Sequence, residues 1–133
     1  MRPGIPDNFA DLISRETKAI AHLALVLRDG TPHVSSVWFD YDGQHFLINT
    51  ARGRVKDRVM RRRPAVALSI TDPEDAERCL LIRGKVVAET EGGAYEMMCG
   101  LNEKYRGVRE FPRIAGQVRV IYSILPDQVF TGD

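Results

Sequence analysis

Eight consecutive residues, Asn49-Thr50-Ala51-Arg52-Gly53-Arg54-Val55-Lys56, gather the side chains in this chain best suited to hold an anion. The run leaves a strand-like stretch, passes a glycine and enters a helix-like one. Backbone N–H groups at a helix start attract anions, and Gly53 lets the backbone come close to one. Thr50 adds a hydroxyl donor. Arg54 can fork onto two phosphate oxygens, and Lys56 supplies a compact point charge. Asn49 can donate to a polar ring edge beside the phosphate. The chemistry this spacing suits is phosphate binding. A solvated basic face fits the same residues, and Arg61-Arg62-Arg63 could meet a nucleic acid. Against a nucleic acid, no aromatic side chains interleave the basic ones, as a stacking platform requires.

Other chemistry finds little support. His22, His33 and His45 have no metal-ligand spacing to another His, Cys or carboxylate, so no metal is expected. No serine sits in a nucleophile elbow, and there is no dinucleotide-binding or phosphate-loop lysine motif.

Charge is unevenly spread. Arg52 to Arg63 holds seven basic residues and one acid, Asp57, leaving 12 basic against 17 acidic residues elsewhere in a chain of net charge +1. The expected partner is a discrete anion, or an extended one that touches this face alone. The net charge sets up no global field towards nucleic acid or membrane. The run Asp72-Pro73-Glu74-Asp75-Ala76-Glu77 reads as a solvated turn. At 133 residues, 44% hydrophobic and 28% charged, the chain is expected to form one globular domain, 1–133. No apolar run nears the roughly 20 residues of a membrane span. Met1-Arg2-Pro3-Gly4 lacks the apolar core of a secretion signal. A cytoplasmic location is therefore expected, with Cys79 and Cys99 reduced and packed.

The elements that must position the loop follow from periodicity and turn signals. Pro6-Asp7 followed by Phe9, Leu12, Ile13 and Ile20 predicts a capped amphipathic helix. Strands are predicted over His22 to Arg28, Thr31 to Asp40 and Gln44 to Thr50, joined by the turn pairs Asp29-Gly30 and Asp42-Gly43. Val55 and Val59, four apart, can face a core from a helix that Pro64 stops. A strand over Ala65 to Thr71 precedes a long one over Arg78 to Thr90, with Gly84 as a bulge. Ala94 to Arg106 predicts a second amphipathic helix bearing Tyr95, Met98, Leu101 and Tyr105. Gln117 to Leu125 is a last strand, and Val129-Phe130 a short addition. Six or seven strands and three helices, without a parallel rhythm, predict a mainly β fold: a small antiparallel barrel decorated by helices.

Three stretches in this order and spacing resemble a known family: Asp29-Gly-Thr-Pro-His-Val-Ser-Ser-Val-Trp-Phe39, Leu47-Ile-Asn-Thr-Ala-Arg-Gly-Arg-Val-Lys56 and Arg61-Arg-Arg-Pro-Ala-Val66. Over roughly residues 7 to 130 the chain resembles the pyridoxamine-5'-phosphate-oxidase-like split-barrel superfamily. Within it, it is most similar to the small proteins that use the deazaflavin coenzyme F-420 in place of FMN. Val59-Met60 and Ala65 stand where that branch often has Asn-Leu and Arg. The resemblance implies a six-stranded antiparallel Greek-key split barrel with two to three flanking helices. It also implies a homodimer with cofactor sites at the subunit interface. By position, Asn49, Thr50, Arg54 and Lys56 would hold the cofactor phosphate, with Gly53 allowing the turn between them. Val34, Ser35, Ser36 and Val37 would line the ring edge, with Trp38 near it or packed. Arg58 would meet the anionic oligoglutamate tail of F-420. The implied activity is hydride transfer between F-420, or alternatively FMN, and a small electron-poor acceptor, with Tyr105 or solvent as proton source. The missing acid–base pair suits such cofactor-borne chemistry, and equally a non-enzymatic carrier or sensor of a flavin, haem or tetrapyrrole. The chain lacks the C-terminal Trp and Arg-Leu-Xaa-Pro-like motif of true pyridoxamine phosphate oxidases, so vitamin B6 oxidation is not expected.

Overall fold

The computed structural model describes residues 4–132. Residues 1–3 and 133, on which part of the N-terminal reading and the ends of the expected domain rest, lie outside the described residues. The first element is a 3-10 helix, Asp7–Ile13, rather than an amphipathic α-helix reaching Ile20. Phe9 and Leu12 are both buried, and a spacing of three brings side chains onto one line of a 3-10 turn. Ile20 instead opens a strand.

Seven strands follow: β1 (Ile20–Val26), β2 (Pro32–Val37), β3 (Asp40–Tyr41), β4 (Phe46–Ala51), β5 (Ala65–Asp72), β6 (Asp75–Thr90) and β7 (Arg119–Gly132). Two α-helices are inserted, α1 (Val55–Met60) before β5 and α2 (Ala94–Arg106) before β7. One antiparallel sheet results, in the order β2-β1-β5-β6-β7-β4-β3. Its end strands β2 and β3 are joined by only Trp38 and Phe39. Three Cα–Cα steps reach at most about 11 Å, whereas a flat seven-stranded sheet sets its outer strands about 29 Å apart. The sheet must curl until its two edges meet, and the expected split barrel is the result.

The count is seven strands because the expected strand Thr31 to Asp40 breaks. Phe39 is fully buried in the core, and Trp38 stacks on Tyr105 with ring centres 5.1 Å apart and planes 7° from parallel. The chain leaves one edge of the sheet here and joins the other. Alternate residues of the strands fill the interior: Leu23 and Leu25 of β1, Leu68 and Ile70 of β5, Phe46 and Ile48 of β4, and Tyr122 and Ile124 of β7.

The long β6 carries the expected bulge, with its register shifting between Arg83 and Gly84. A Cβ on Gly84 would lie 2.6 Å from the Leu125 carbonyl oxygen, so only glycine lets β7 come this close. The same register break accommodates Pro126, which has no N–H to give a ladder. As a result, Val129 and Phe130 are not a separate strand but the continuation of β7. The acidic run at 72–77 is the tight turn from β5 into β6, with Asp72 opposite Asp75. In α1, Met60 is buried and Val59 packs on the core. Val55 is 39% exposed, so it does not share the inward face expected for it. Cys79 and Cys99 are free and half-buried. No described helix is long and apolar enough to cross a membrane.

Candidate functional site

The loop between β4 and α1 begins where the barrel is split. β3 and β4 pair Asp40 with Leu47 and Tyr41 with Phe46. Continuing that register would set Val37 against Thr50. Instead β2 turns away to pair with β1, placing Val37 opposite Ala21. The edges of β2 and β4 are left facing without a ladder.

On β2 the four expected ring-edge residues divide into two pairs. The Leu27 N–H bonds the Thr31 carbonyl at 2.8 Å, which sets the phase of the β1–β2 ladder. In an antiparallel ladder hydrogen-bonded pairs alternate with unbonded ones. Ser35 and Val37 therefore bond to β1, while Val34 and Ser36 turn their backbone N–H and C=O groups to the open edge. Ser35 and Val37 share the inward face with Leu23 and Ala21. Val34 points outward and is 66% exposed. A ring lying along this edge would thus meet backbone groups of Val34 and Ser36 rather than four side chains.

Across the split, Thr50 is 1% exposed and its hydroxyl has no hydrogen-bond partner; the Ser35 hydroxyl is also buried and unpartnered. Buried hydroxyls are nearly always bonded, but both of these lie on the inward face of the barrel, Thr50 in line with Phe46 and Ile48, so the expected contact of Thr50 with an anion at the loop is not formed. Asn49 is otherwise engaged. Its amide donates to the Ala94 carbonyl at 2.8 Å and accepts from Arg119 at 2.9 Å, latching β4 to α2 and β7.

The loop is held from beneath by Asp57, the buried acid in the first turn of α1. Its carboxylate accepts from the Gly53 N–H at 2.8 Å, the Tyr122 hydroxyl at 2.6 Å and the Arg52 guanidinium at 3.0 Å. Burial alone would raise the Asp57 pKa. The hydrogen bonds from Tyr122, Gly53 and Arg52 outweigh it and hold the carboxyl below its ordinary value. Gly53 sits at φ 91°, a left-handed conformation that favours glycine. Two amides expected to face an anion are thus already used, Gly53 by Asp57 and Arg54 by the Ala51 carbonyl. Any anion here must be held mainly by side chains.

Three of the seven basic residues are also engaged. Arg52 bridges Asp57, Glu89 and Glu91 at 2.9–3.0 Å. Arg61 lies 3.8 Å from Glu89, and Arg63 donates to the Arg28 carbonyl. Arg54, Lys56, Arg58 and Arg62 form no ion pair among the described residues; all but the half-buried Lys56 are exposed. Arg119, opposite Ala51 at the start of β7, joins Arg54 and Lys56 to form one cationic cluster. Burial, then repulsion from Arg54 and Arg119, pulls the Lys56 pKa down. Burial and Arg54 do the same to Arg119. Positive charge is thus crowded together and partly dehydrated with no acid to balance it, and an anion would relieve both penalties. Nothing local in the sequence marks Arg119, 63 residues beyond Lys56; the β4–β7 register brings it in.

Tyr105 is occupied elsewhere. Its hydroxyl donates to the Ala19 carbonyl at 2.6 Å, and burial pushes its pKa up to about 12. In this arrangement the hydroxyl hydrogen is directed at a main-chain carbonyl.

Comparison with known proteins places this geometry in context. The pyridoxamine 5'-phosphate oxidase family matches residues 5–128. A solved structure described as an F-420 reductase is 32% identical, covering 95% of this chain and 98% of its own, with a TM-score of 0.84. A putative pyridoxamine 5'-phosphate oxidase from Listeria innocua is 20% identical over 94% of this chain and 95% of its own, with a TM-score of 0.71. A conserved hypothetical protein from Mycobacterium tuberculosis is 19% identical over 97% of this chain and 85% of its own, with a TM-score of 0.74. No curated protein sequence matches. With its split barrel and nearly its whole length matched, the chain belongs to the pyridoxamine 5'-phosphate oxidase family.

Proposed function

We propose that this protein is an oxidoreductase that binds coenzyme F-420 and reduces a small electron-poor organic acceptor. The observation that carries the reading is the uncompensated cluster of Arg54, Lys56 and Arg119 at the β4–α1 loop. Those residues fit a phosphate group. Arg54 and Arg119 offer forked donors and Lys56 a point charge. Arg58, exposed on the next turn of α1, and Arg62 extend the positive surface towards an anionic tail. Val34 and Ser36 present backbone groups to a ring edge. When bound, the reduced deazaflavin supplies the hydride; the chain's own residues bind, orient and shield. With the Tyr105 hydroxyl held by Ala19, the proton comes from solvent.

Similarity to the F-420 reductase supports the deazaflavin over FMN. So does charge: F-420 adds a carboxylate tail to its phosphate, and unpaired cations beyond the phosphate cluster suit it. FMN is the second reading, favoured by the family match. We also propose a homodimer. The outward face of β1, β2, β6 and β7 exposes Val26 (45%), Val34 (66%), Leu81 (41%) and Phe130 (44%), and a second copy covering it would lie beside the β2 edge.

The test is a fluorescence titration of the purified protein with F-420 and, separately, FMN at low salt. Tight binding of F-420 with weak FMN binding is the expected result. Preference for FMN would move the protein to the flavin reading, and binding of neither would remove the cofactor reading.

A further inference from the structure

A second basic feature lies outside the β4–α1 loop. The chain between α2 and β7, residues 107–118, folds over the start of α2 and leaves a cleft of about 580 Å³. Tyr95 forms one wall. Its hydroxyl donates to the Phe111 carbonyl at 2.5 Å, which fixes the ring. The Arg113 guanidinium stacks 3.6 Å from the centre of that ring. Arg119 also lines the cleft, so it is shared with the cationic cluster. Neither Arg113 nor Arg119 forms an ion pair with an acid among the described residues. The remaining lining includes the Glu91 carboxylate, which Arg52 neutralises at 2.9 Å, together with Ile114, 57% exposed, and Val118, 44% exposed.

These features have a chemical reading. A guanidinium stacked on an aromatic ring keeps its in-plane N–H groups free while its orientation is fixed. Such a preorganised fork suits a carboxylate, which it can meet with two parallel hydrogen bonds. Exposed Ile114 and Val118 offer an apolar surface beside that fork. A cleft with a cationic end and an apolar rim fits a ligand of the opposite build: a flat apolar body with a carboxylate at one end.

We propose that this cleft is a binding site for a small ligand that carries a carboxylate on an apolar frame, with Arg113 as the specificity-determining residue. The proposal stands on the cleft alone and does not rest on the cofactor reading.

The test uses anthraquinone-2-carboxylate and its methyl ester, flat electron-poor probes that differ in one charge. Their binding is measured by calorimetry on the whole protein, without and with F-420. The expected result is at least tenfold tighter binding of the acid than of the ester. In Arg113→Gln that preference falls to about onefold, while the affinity for F-420 stays unchanged. Arg113 is a surface side chain, so the variant folds; circular dichroism checks that it has. Equal binding of acid and ester by the native protein overturns the proposal. So does a loss of F-420 affinity in Arg113→Gln matching the loss for the acid, because the cleft would then hold the cofactor's own carboxylates. Failure of F-420 to bind while the acid is still preferred over the ester sinks the cofactor reading alone and leaves the carboxylate site standing.

Discussion

Replacing Asp57 by alanine removes the acceptor for three donors at once, and the structure says how much each loss matters. The Gly53 N–H has no other partner, and an unsatisfied buried donor costs about 1–3 kcal/mol. The Tyr122 hydroxyl falls back on the Asp57 main-chain carbonyl, already 3.1 Å away. Arg52 keeps Glu89 and Glu91. Breaking a buried ion pair typically costs 3–5 kcal/mol because a charge is stranded. Arg52 is not stranded, so the total should fall at the bottom of that range, about 3 kcal/mol, or roughly 12 °C in Tm for a domain this size. Asp57→Asn keeps the shape and one accepting oxygen, and should cost about half as much. The sign of the pH dependence is set as well. The folded carboxyl sits below its unfolded value of 3.8. Its contribution is therefore present in full above that value and is lost as pH falls through the lower folded one. Urea unfolding of the native protein and both variants from neutral pH to about pH 3 measures this. A loss below about 1 kcal/mol in Asp57→Ala, or an acid limb as steep in Asp57→Asn as in the native protein, would refute the reasoning.

Further outcomes follow from the same geometry. Lys56→Ala should weaken F-420 binding by about 1.5–3 kcal/mol, roughly 10- to 150-fold, as a charge-assisted hydrogen bond is lost; a titration at fixed low salt reads it. In the native protein that affinity should fall as pH rises through the lowered Lys56 pKa, below the ordinary lysine value of 10.5. Thr50→Val removes an orphaned buried hydroxyl at nearly constant shape, so thermal unfolding should show unchanged or greater stability. Gly84→Ala drives a Cβ to 2.6 Å from the Leu125 oxygen. It should destabilise by about 1–3 kcal/mol, as overpacking does, with the loss read as a lower urea midpoint.

Much of this protein is written locally. The Asp29-Gly30 and Asp42-Gly43 turns, the α2 helix from Ala94 to Arg106 and the Gly84 bulge all depend on residues within a few positions of one another. The basic run is likewise legible, because it is continuous. Which of its charges are available is not. Arg52 reads like Arg54 in sequence, yet Glu89 and Glu91, 37 and 39 residues on, neutralise it. Arg119, 63 residues beyond Lys56, completes the cationic cluster instead. Both outcomes depend on β4, β6 and β7 lying side by side in one register, and an ion pair depends on distance in space rather than along the chain. Sequence by itself therefore determined the hairpins, the second helix and the presence of an anion-seeking loop. Only the tertiary structure decided which cations stay unpaired beside the β4–α1 loop, and that a further arginine, stacked on Tyr95, waits in a cleft that Arg119 shares.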